Sequence, residues 1–382
     1  MGESESSRQL EGFMNSLRQI LECGQSIWLD FIDRHLVATG ELARMIEVDG
    51  IRGVTSNPAI FEKAVAEDPD YRAGLRALHD AGIAPSARLE RLVLPDIQAA
   101  ADCLLATYET SGGRDGFVSL EVSPALARNA EDTVREARRL RQAVGRRNLM
   151  IKVPATDEAL PAITQLISEG VAVNVTLLFS RSMHLRVMDA YCAGLERRAA
   201  QGHRLDEVAS VASFFVSRID TEVDARLDAL LASTKDDALR QRIRGLQGKA
   251  AIANAKLAYR NWQEQMAAPR WQALQEKAAH PQRLLWASTG VKNPAYRDVR
   301  YVEDLIGPQT VNTVPPATLN AFREHGVARV VLDAGVDAAA AALAEIEALG
   351  IAMDDVTAKL LDAGLAAFVH SYDALLQRLA SV

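Results

Sequence analysis

Leu149-Met150-Ile151-Lys152-Val153-Pro154 is an apolar run with the length of a buried strand, interrupted by one cation. Burying an ammonium without a partner costs several kcal/mol, and the usual escape is a lowered pKa that leaves the amine neutral. A neutral lysine is a nucleophile. In water only about one lysine in a few thousand is unprotonated at pH 7, so desolvation on a strand is a direct route to Schiff-base chemistry with a carbonyl substrate. The alternative is an edge-strand lysine whose stem packs while its head reaches water. The rest of the chain decides between the two.

On either side of this run, short apolar segments alternate with longer helical patterns, the sequence form of successive βα units. The segments are 26–31, 51–55, 117–122, 149–153, 172–176, 208–216, 284–287 and 310–314. Between them lie stretches with apolar residues at intervals of three and four, among them 95–108, 130–144, 160–169, 182–200 and 221–266. Pro95 suits the first turn of its helix, where no backbone donor is missed. Eight strands with intervening helices predict a closed parallel barrel. Residues 328–332 form a ninth candidate strand, and an open doubly wound sheet would give the same alternation. Residues 8–23 read as an amphipathic helix with Leu10, Phe13, Met14, Leu17, Ile20 and Leu21 on one side.

Each strand segment ends in, contains or is closely followed by a polar group that a hydrophobic core would not choose. These are Asp30, Ser56 with Asn57, Glu121, Lys152 with Thr156, Asn174 with Thr176, Ser213 with Arg218, Ser288 with Lys292, and Asn312. In a parallel barrel all strand C-termini open on one face, so residues scattered through the chain converge on one pocket. Taken singly, Asn57 before Pro58 is a turn residue, Thr156 before Asp157 a helix cap, and Asn174 and Thr176 satisfied strand residues. The carboxylates Glu121 and Asp30 point more firmly to a polar cavity, because they cost more to desolvate than an amide.

Composition narrows the function. Of 382 residues, 48% are hydrophobic and 24% charged, a globular profile with ample material for a core. The net charge of −7, with basic residues dispersed or confined to helical stretches such as 135–147 and 240–249, argues against nucleic acid as a partner. Cys23, Cys103 and Cys192 are far apart and odd in number, which implies neither a disulfide framework nor a zinc ligand set and points to a reducing cytoplasm. No apolar stretch reaches the length of a membrane span, and MGESESSRQ lacks the regions of a signal peptide. Met1-Gly2 with Ser6 fits a short myristoylation pattern that, without a polybasic patch, is discounted. No G-x-G-x-x-G follows a strand, so dinucleotide binding lacks its signature. The seven histidines, among them His35, His184 and His325, show no pair at metal-ligand spacing and read as surface residues.

The strings GVTSNPAIF (53–61), LMIKVPAT (149–156), VNVTLLFS (173–180), SFFVSRID (213–220) and VNTVPPATL (311–319) resemble the transaldolase family, in this order and with suitable spacings. The longer bacterial transaldolases are the nearest likeness. The resemblance implies a single (β/α)8 barrel of the class I aldolase type with extra N- and C-terminal helices. Residues 1–25 would carry the N-terminal helix, and residues 26–382 the barrel, with a helical insertion at about 221–279 and a C-terminal helix at about 354–379. The insertion would either cover the barrel mouth or make a subunit contact, so monomer and homodimer both stay open.

The resemblance also implies the chemistry: transfer of a dihydroxyacetone unit between sugar phosphates of the non-oxidative pentose phosphate pathway, with no metal or other cofactor. Lys152 would form the Schiff base and Asp30 would act as acid and base, while Glu121 and Thr176 would hold a water for imine formation and hydrolysis. Asn57, Asn174, Ser213 and Phe215 match groups that contact the sugar, and Arg218 and Ser288 match phosphate ligands. Shorter transaldolases follow the strand-seven serine with a nearby arginine; here Ala287-Ser288-Thr289-Gly290-Val291-Lys292 offers Lys292 in its place. Two other readings keep the fold: a Schiff-base aldolase that releases dihydroxyacetone, and an inactive barrel that binds sugar phosphates.

Overall fold

The computed structural model describes residues 15–381. Eight parallel strands close into a barrel in chain order: β1 (Gln25–Leu29), β2 (Gly53–Thr55), β3 (Phe117–Glu121), β4 (Leu149–Pro154), β5 (Val173–Leu178), β6 (Ser210–Phe215), β7 (Arg283–Ala287) and β8 (Thr310–Val314). Closure is made by β8 pairing back onto β1 over its full length, from Gln25 opposite Thr310 to Leu29 opposite Val314. With helices following the strands, this is a (β/α)8 barrel, and the open doubly wound alternative is excluded.

The barrel interior is packed rather than hollow. Trp28 is fully buried inside it, and β2 makes room by carrying Gly53, where an added Cβ would lie 2.5 Å from the indole. Strand β5 is irregular: its register with β6 shifts between Val175 and Leu178, and Leu177 adopts φ +59°. A bulge of this kind re-aims a side chain beside a site, and the residue at its start is Thr176.

Four expectations are corrected. The helix expected to open at Pro95 opens ten residues earlier and spans Pro85–Thr110; Pro85 occupies the first turn and Pro95 lies inside. An interior proline forfeits one backbone bond and strains the preceding turn, at about 3 kcal/mol. Burial of Leu92, Val93, Ile97, Ala100, Ala101 and Leu104 on one face keeps the helix continuous across it. The stretch 221–266 is three helices, Ser217–Ser233, Asp237–Leu246 and Ala250–Ala267, because Asp236 caps a new start through the amides of Ala238 and Leu239 and the chain breaks again at Gln247–Lys249. Residues 328–332 form no strand; the amides of Val331 and Leu332 both donate to the Ile306 carbonyl, and Leu332 packs onto Gly307. His184 is buried, because with Val187, Met188, Tyr191 and Leu195 it lies on the inward stripe of helix Arg181–Ala200.

The first described helix is Ser16–Glu22, capped by the Asn15 side chain, with Leu17 and Ile20 buried. Residues 8–14 and the Met1-Gly2 motif lie outside the described residues. No described helix is long and apolar enough to cross a membrane. At the other end, helix Met353–Ala380 lies against the barrel and is fastened by Arg88 to the Leu379 carbonyl (2.6 Å) and by Lys359 to Glu222 (2.8 Å).

Candidate active site

At the C-terminal ends of the strands a cavity of about 270 Å³ is bordered by Asp30, Asn57, Lys152, Thr176, Ser213, Phe215, Arg218, Ser288 and Lys292. Nine of the eleven residues to which the family resemblance gives a role therefore meet in one place. Glu121 and Asn174 lie just behind its wall.

Lys152 comes from the middle of β4, and its side chain is only 7% exposed. Its Nζ donates to the Ser56 carbonyl (3.0 Å) and lies 3.9 Å from the Glu121 carboxylate. That contact is fixed by the sheet, because Glu121 and Lys152 are register partners on adjacent strands. Neither carboxylate oxygen of Glu121 has a hydrogen-bond partner, although the side chain is buried. Burial pushes this carboxyl up to about 7; Lys152 pulls it back in part, and Asp30 adds to the rise. The Thr176 hydroxyl is likewise buried and unpartnered. Buried polar atoms in native proteins are almost always satisfied, so two such groups beside one amine mark a place prepared for a polar guest.

Asp30 follows β1 and faces the cavity. Its Oδ1 accepts from Thr55 Oγ1 (2.8 Å), and Thr55 in turn meets Thr313 Oγ1 (2.7 Å). Burial raises the Asp30 carboxyl above the usual range, against the opposing pull of Lys152 and the Thr55 hydrogen bond. On the floor of the site, Asn174 donates to Ser119 Oγ (3.1 Å) and accepts from Ser213 Oγ (2.6 Å). Both ends of Asn174 are thus occupied within the protein, and of this chain Ser213 alone borders the cavity. Asn57 caps helix Pro58–Glu67 by accepting from the Ile60 amide (3.1 Å), which spends its carbonyl oxygen and fixes the rest of the amide at the wall.

The mouth is basic. Arg218, in the first turn of helix Ser217–Ser233, lies over the Phe215 ring (5.3 Å) and has no carboxylate partner among the described residues. Its burial lowers its pKa, the electrostatic cost of an unmatched cation. Ser288 closes β7 with φ +56°, a conformation uncommon for a residue with a side chain, and its Oγ lies 3.0 Å from Ser217 Oγ. Lys292 borders the mouth from an exposed position.

Several bordering residues escaped the sequence reading. Thr55 and Thr313 sit inside two of the strings already quoted, and Thr289 fixes the β7 turn by donating to the Thr313 carbonyl (2.9 Å). Ala367, Phe368 and Ser371 come from the C-terminal helix, which crosses the edge of the mouth. None of residues 221–279 borders the cavity. Thr156 caps a turn, accepting from the Ala159 amide (3.2 Å), and Asn312 points away from the site, donating to the Tyr301 carbonyl (3.2 Å).

A closed parallel barrel whose mouth holds a buried amine between two carboxyl groups has the make-up of the lysine-centred barrel enzymes that work on carbonyl compounds. The model of the Transaldolase/Fructose-6-phosphate aldolase family matches residues 27–379. Curated relatives named Transaldolase include one from Neisseria gonorrhoeae, 48% identical over 363 residues that cover 95% of this chain and 99% of the relative. Another from Trichodesmium erythraeum is 44% identical over 96% of this chain and 97% of its own, and one from Thermobifida fusca is 48% identical over 95% and 97%. The chain belongs to the transaldolase/fructose-6-phosphate aldolase family.

Proposed function

We propose that the protein is a transaldolase, a transferase that moves a dihydroxyacetone unit from a ketose phosphate to an aldose phosphate through a Schiff base on Lys152. The observation that carries this reading is the Lys152 amine, buried at the mouth 3.9 Å from a carboxyl that has no other partner. The amine adds to the ketone of fructose 6-phosphate or sedoheptulose 7-phosphate, and the carbinolamine loses water to give a protonated imine. Glu121 and Thr176 hold that water; a carboxyl near 7 exchanges protons with it at physiological pH. Asp30 takes the proton of the hydroxyl at the bond being cleaved. The electron pair of that bond moves into the iminium, leaving an enamine on Lys152 and releasing the aldose phosphate. The acceptor aldehyde then adds to the enamine carbon, Asp30 returns its proton, and water releases the new ketose.

Because the iminium is the electron sink, the cleavage calls for no metal. Ser213 and Asn57 contact the sugar hydroxyls, with Asn174 holding Ser213 in place, and Phe215 forms the wall. Arg218 supplies a planar fork to the phosphate, Ser288 a hydroxyl and Lys292 a point charge. The three cysteines are free, in keeping with work in a reducing cytoplasm.

Borohydride reduction in the presence of fructose 6-phosphate tests the reading. Mass spectrometry should find one dihydroxyacetone-derived adduct, on Lys152, and the folded Lys152→Ala variant should show neither adduct nor turnover. Turnover by that variant would overturn the mechanism. Consumption of fructose 6-phosphate without erythrose 4-phosphate, at the rate seen with it, would make the protein an aldolase instead.

A further inference from the structure

At the opposite pole, the N-terminal ends of the strands open on a bay of about 550 Å³, larger than the candidate active site. Its floor is a built network. Arg283 of β7, 9% exposed, donates to Ser26 Oγ of β1 (2.9 Å), to the Asp115 carboxylate (2.9 Å) and to the Arg114 carbonyl (2.6 Å). Asp115 also accepts from Ser26 Oγ (2.7 Å) and from Trp28 Nε1 (3.1 Å). These bonds seal the barrel beneath Trp28 and match the charge of Asp115 with that of Arg283.

Two more guanidinium groups border the same bay without being needed by that seal. Arg52, just before β2, has no side-chain hydrogen bond or ion pair among the described residues, and Arg114 donates only to the Ser111 carbonyl (3.0 Å). Of the acids nearby, Glu109 is taken by Arg147, Asp206 by Arg204 and Glu207 by Arg198, while Glu22, next to Leu21 at the rim, is exposed and pairs with neither arginine. His280, also at the wall, is held below its ordinary pKa by burial and donates to the Asp206 carbonyl (3.0 Å). In a chain of net charge −7, two unmatched arginines thus share one concave surface.

We propose that this bay is a second ligand site, one for a small phosphate-bearing metabolite, with Arg52 and Arg114 gripping the phosphate. Paired guanidinium forks match phosphate oxygens, and the volume lies in the range of small-molecule sites. No Phe, Tyr or Trp borders the bay, so a nucleobase would find no indole or phenyl face to stack on; a polar, sugar-like body fits better. Met150 and Val211 at its wall lie two residues before Lys152 and Ser213 on the same strands, so an occupant would sit along the barrel axis from the mouth. The site does not depend on which reaction the mouth performs.

Calorimetric titration with pyrophosphate tests it in the full-length Arg218→Ala/Lys292→Ala protein, whose mouth keeps Lys152 but has lost the two cations assigned to phosphate. Saturable one-to-one binding is expected there, weakened at least tenfold by adding Arg52→Gln and Arg114→Gln, with the circular dichroism spectrum unchanged. Should those additions unfold the protein, crystals of the unmutated chain grown with pyrophosphate decide the matter: density between Arg52 and Arg114 supports the site, and density only at the mouth overturns it. Absence of binding in the mouth variant, or binding indifferent to Arg52 and Arg114, also overturns it.

Discussion

Asp30 and Glu121 are both buried carboxyls within the field of one lysine, yet their surroundings differ. Asp30 keeps a hydroxyl donor, Thr55, and Glu121 keeps none. A donor favours the ionised form, which suits the group that must first take a proton; an unpartnered carboxyl stays neutral longer and can give one to a departing hydroxyl. Asp30→Asn should therefore still form the imine and be trapped by borohydride, while turnover falls by roughly 10²–10⁴, the usual worth of one acid–base group. A variant that neither traps nor turns over would show that Asp30 serves imine formation as well. At this scale the sequence was informative wherever a charge interrupted an apolar run, as at Lys152 and Glu121. Thr55 and Thr313 passed unremarked because a threonine in a strand has an ordinary structural use, and only closure of β8 onto β1 brings them together.

Among the elements, the C-terminal helix has the most influence on the mouth. It approaches the end of β5 closely at Gly364, where a Cβ would lie 2.9 Å from Leu177 Cδ2 and 3.5 Å from Arg218 Nη1. A β-branched side chain there must displace one of the two. Gly364→Val should raise KM for the sugar phosphate more than it lowers kcat, through Arg218, with a stability loss of about 1–3 kcal/mol from overpacking. An unchanged KM with reduced kcat would place the strain elsewhere. The helix itself was expected from the family resemblance, but its path across the mouth was not legible, since periodicity gives the face a helix buries and not the partner it meets. The same limit explains Pro95 and the insertion. A proline reads as a helix start unless packing on both sides holds it inside, and the breaks at Thr234 and Gln247 fall in a stretch whose apolar spacing continues across them.

For the molecule as a whole, two buried groups give stability opposite dependences on pH. Glu121 is raised from 4.5 to about 7, so within that window the folded chain holds a proton the unfolded chain has lost, and stability falls as pH rises. Asp220, raised to about 6 by burial, acts in the same sense. His184, buried with both ring nitrogens unpartnered, is lowered from 6.5 to about 4, so the unfolded chain takes up a proton the fold refuses, and stability is lost as pH falls. The Glu121 and His184 shifts each correspond to on the order of 3 kcal/mol. Together they flatten the profile between pH 5 and 6.5. Thermal melts across pH 5–7 should show Tm falling more steeply with pH in His184→Leu than in the parent, and less steeply in Glu121→Gln. Changes of the same sign in both would refute the assignment.

The order of the elements has a consequence for synthesis. A ribosome releases all eight strands by Val314 and reaches Phe368 and Ser371, which edge the mouth, more than fifty residues later. A nascent chain can thus close its sheet while the pocket still lacks one border, and competence to hold a sugar phosphate waits on that later stretch.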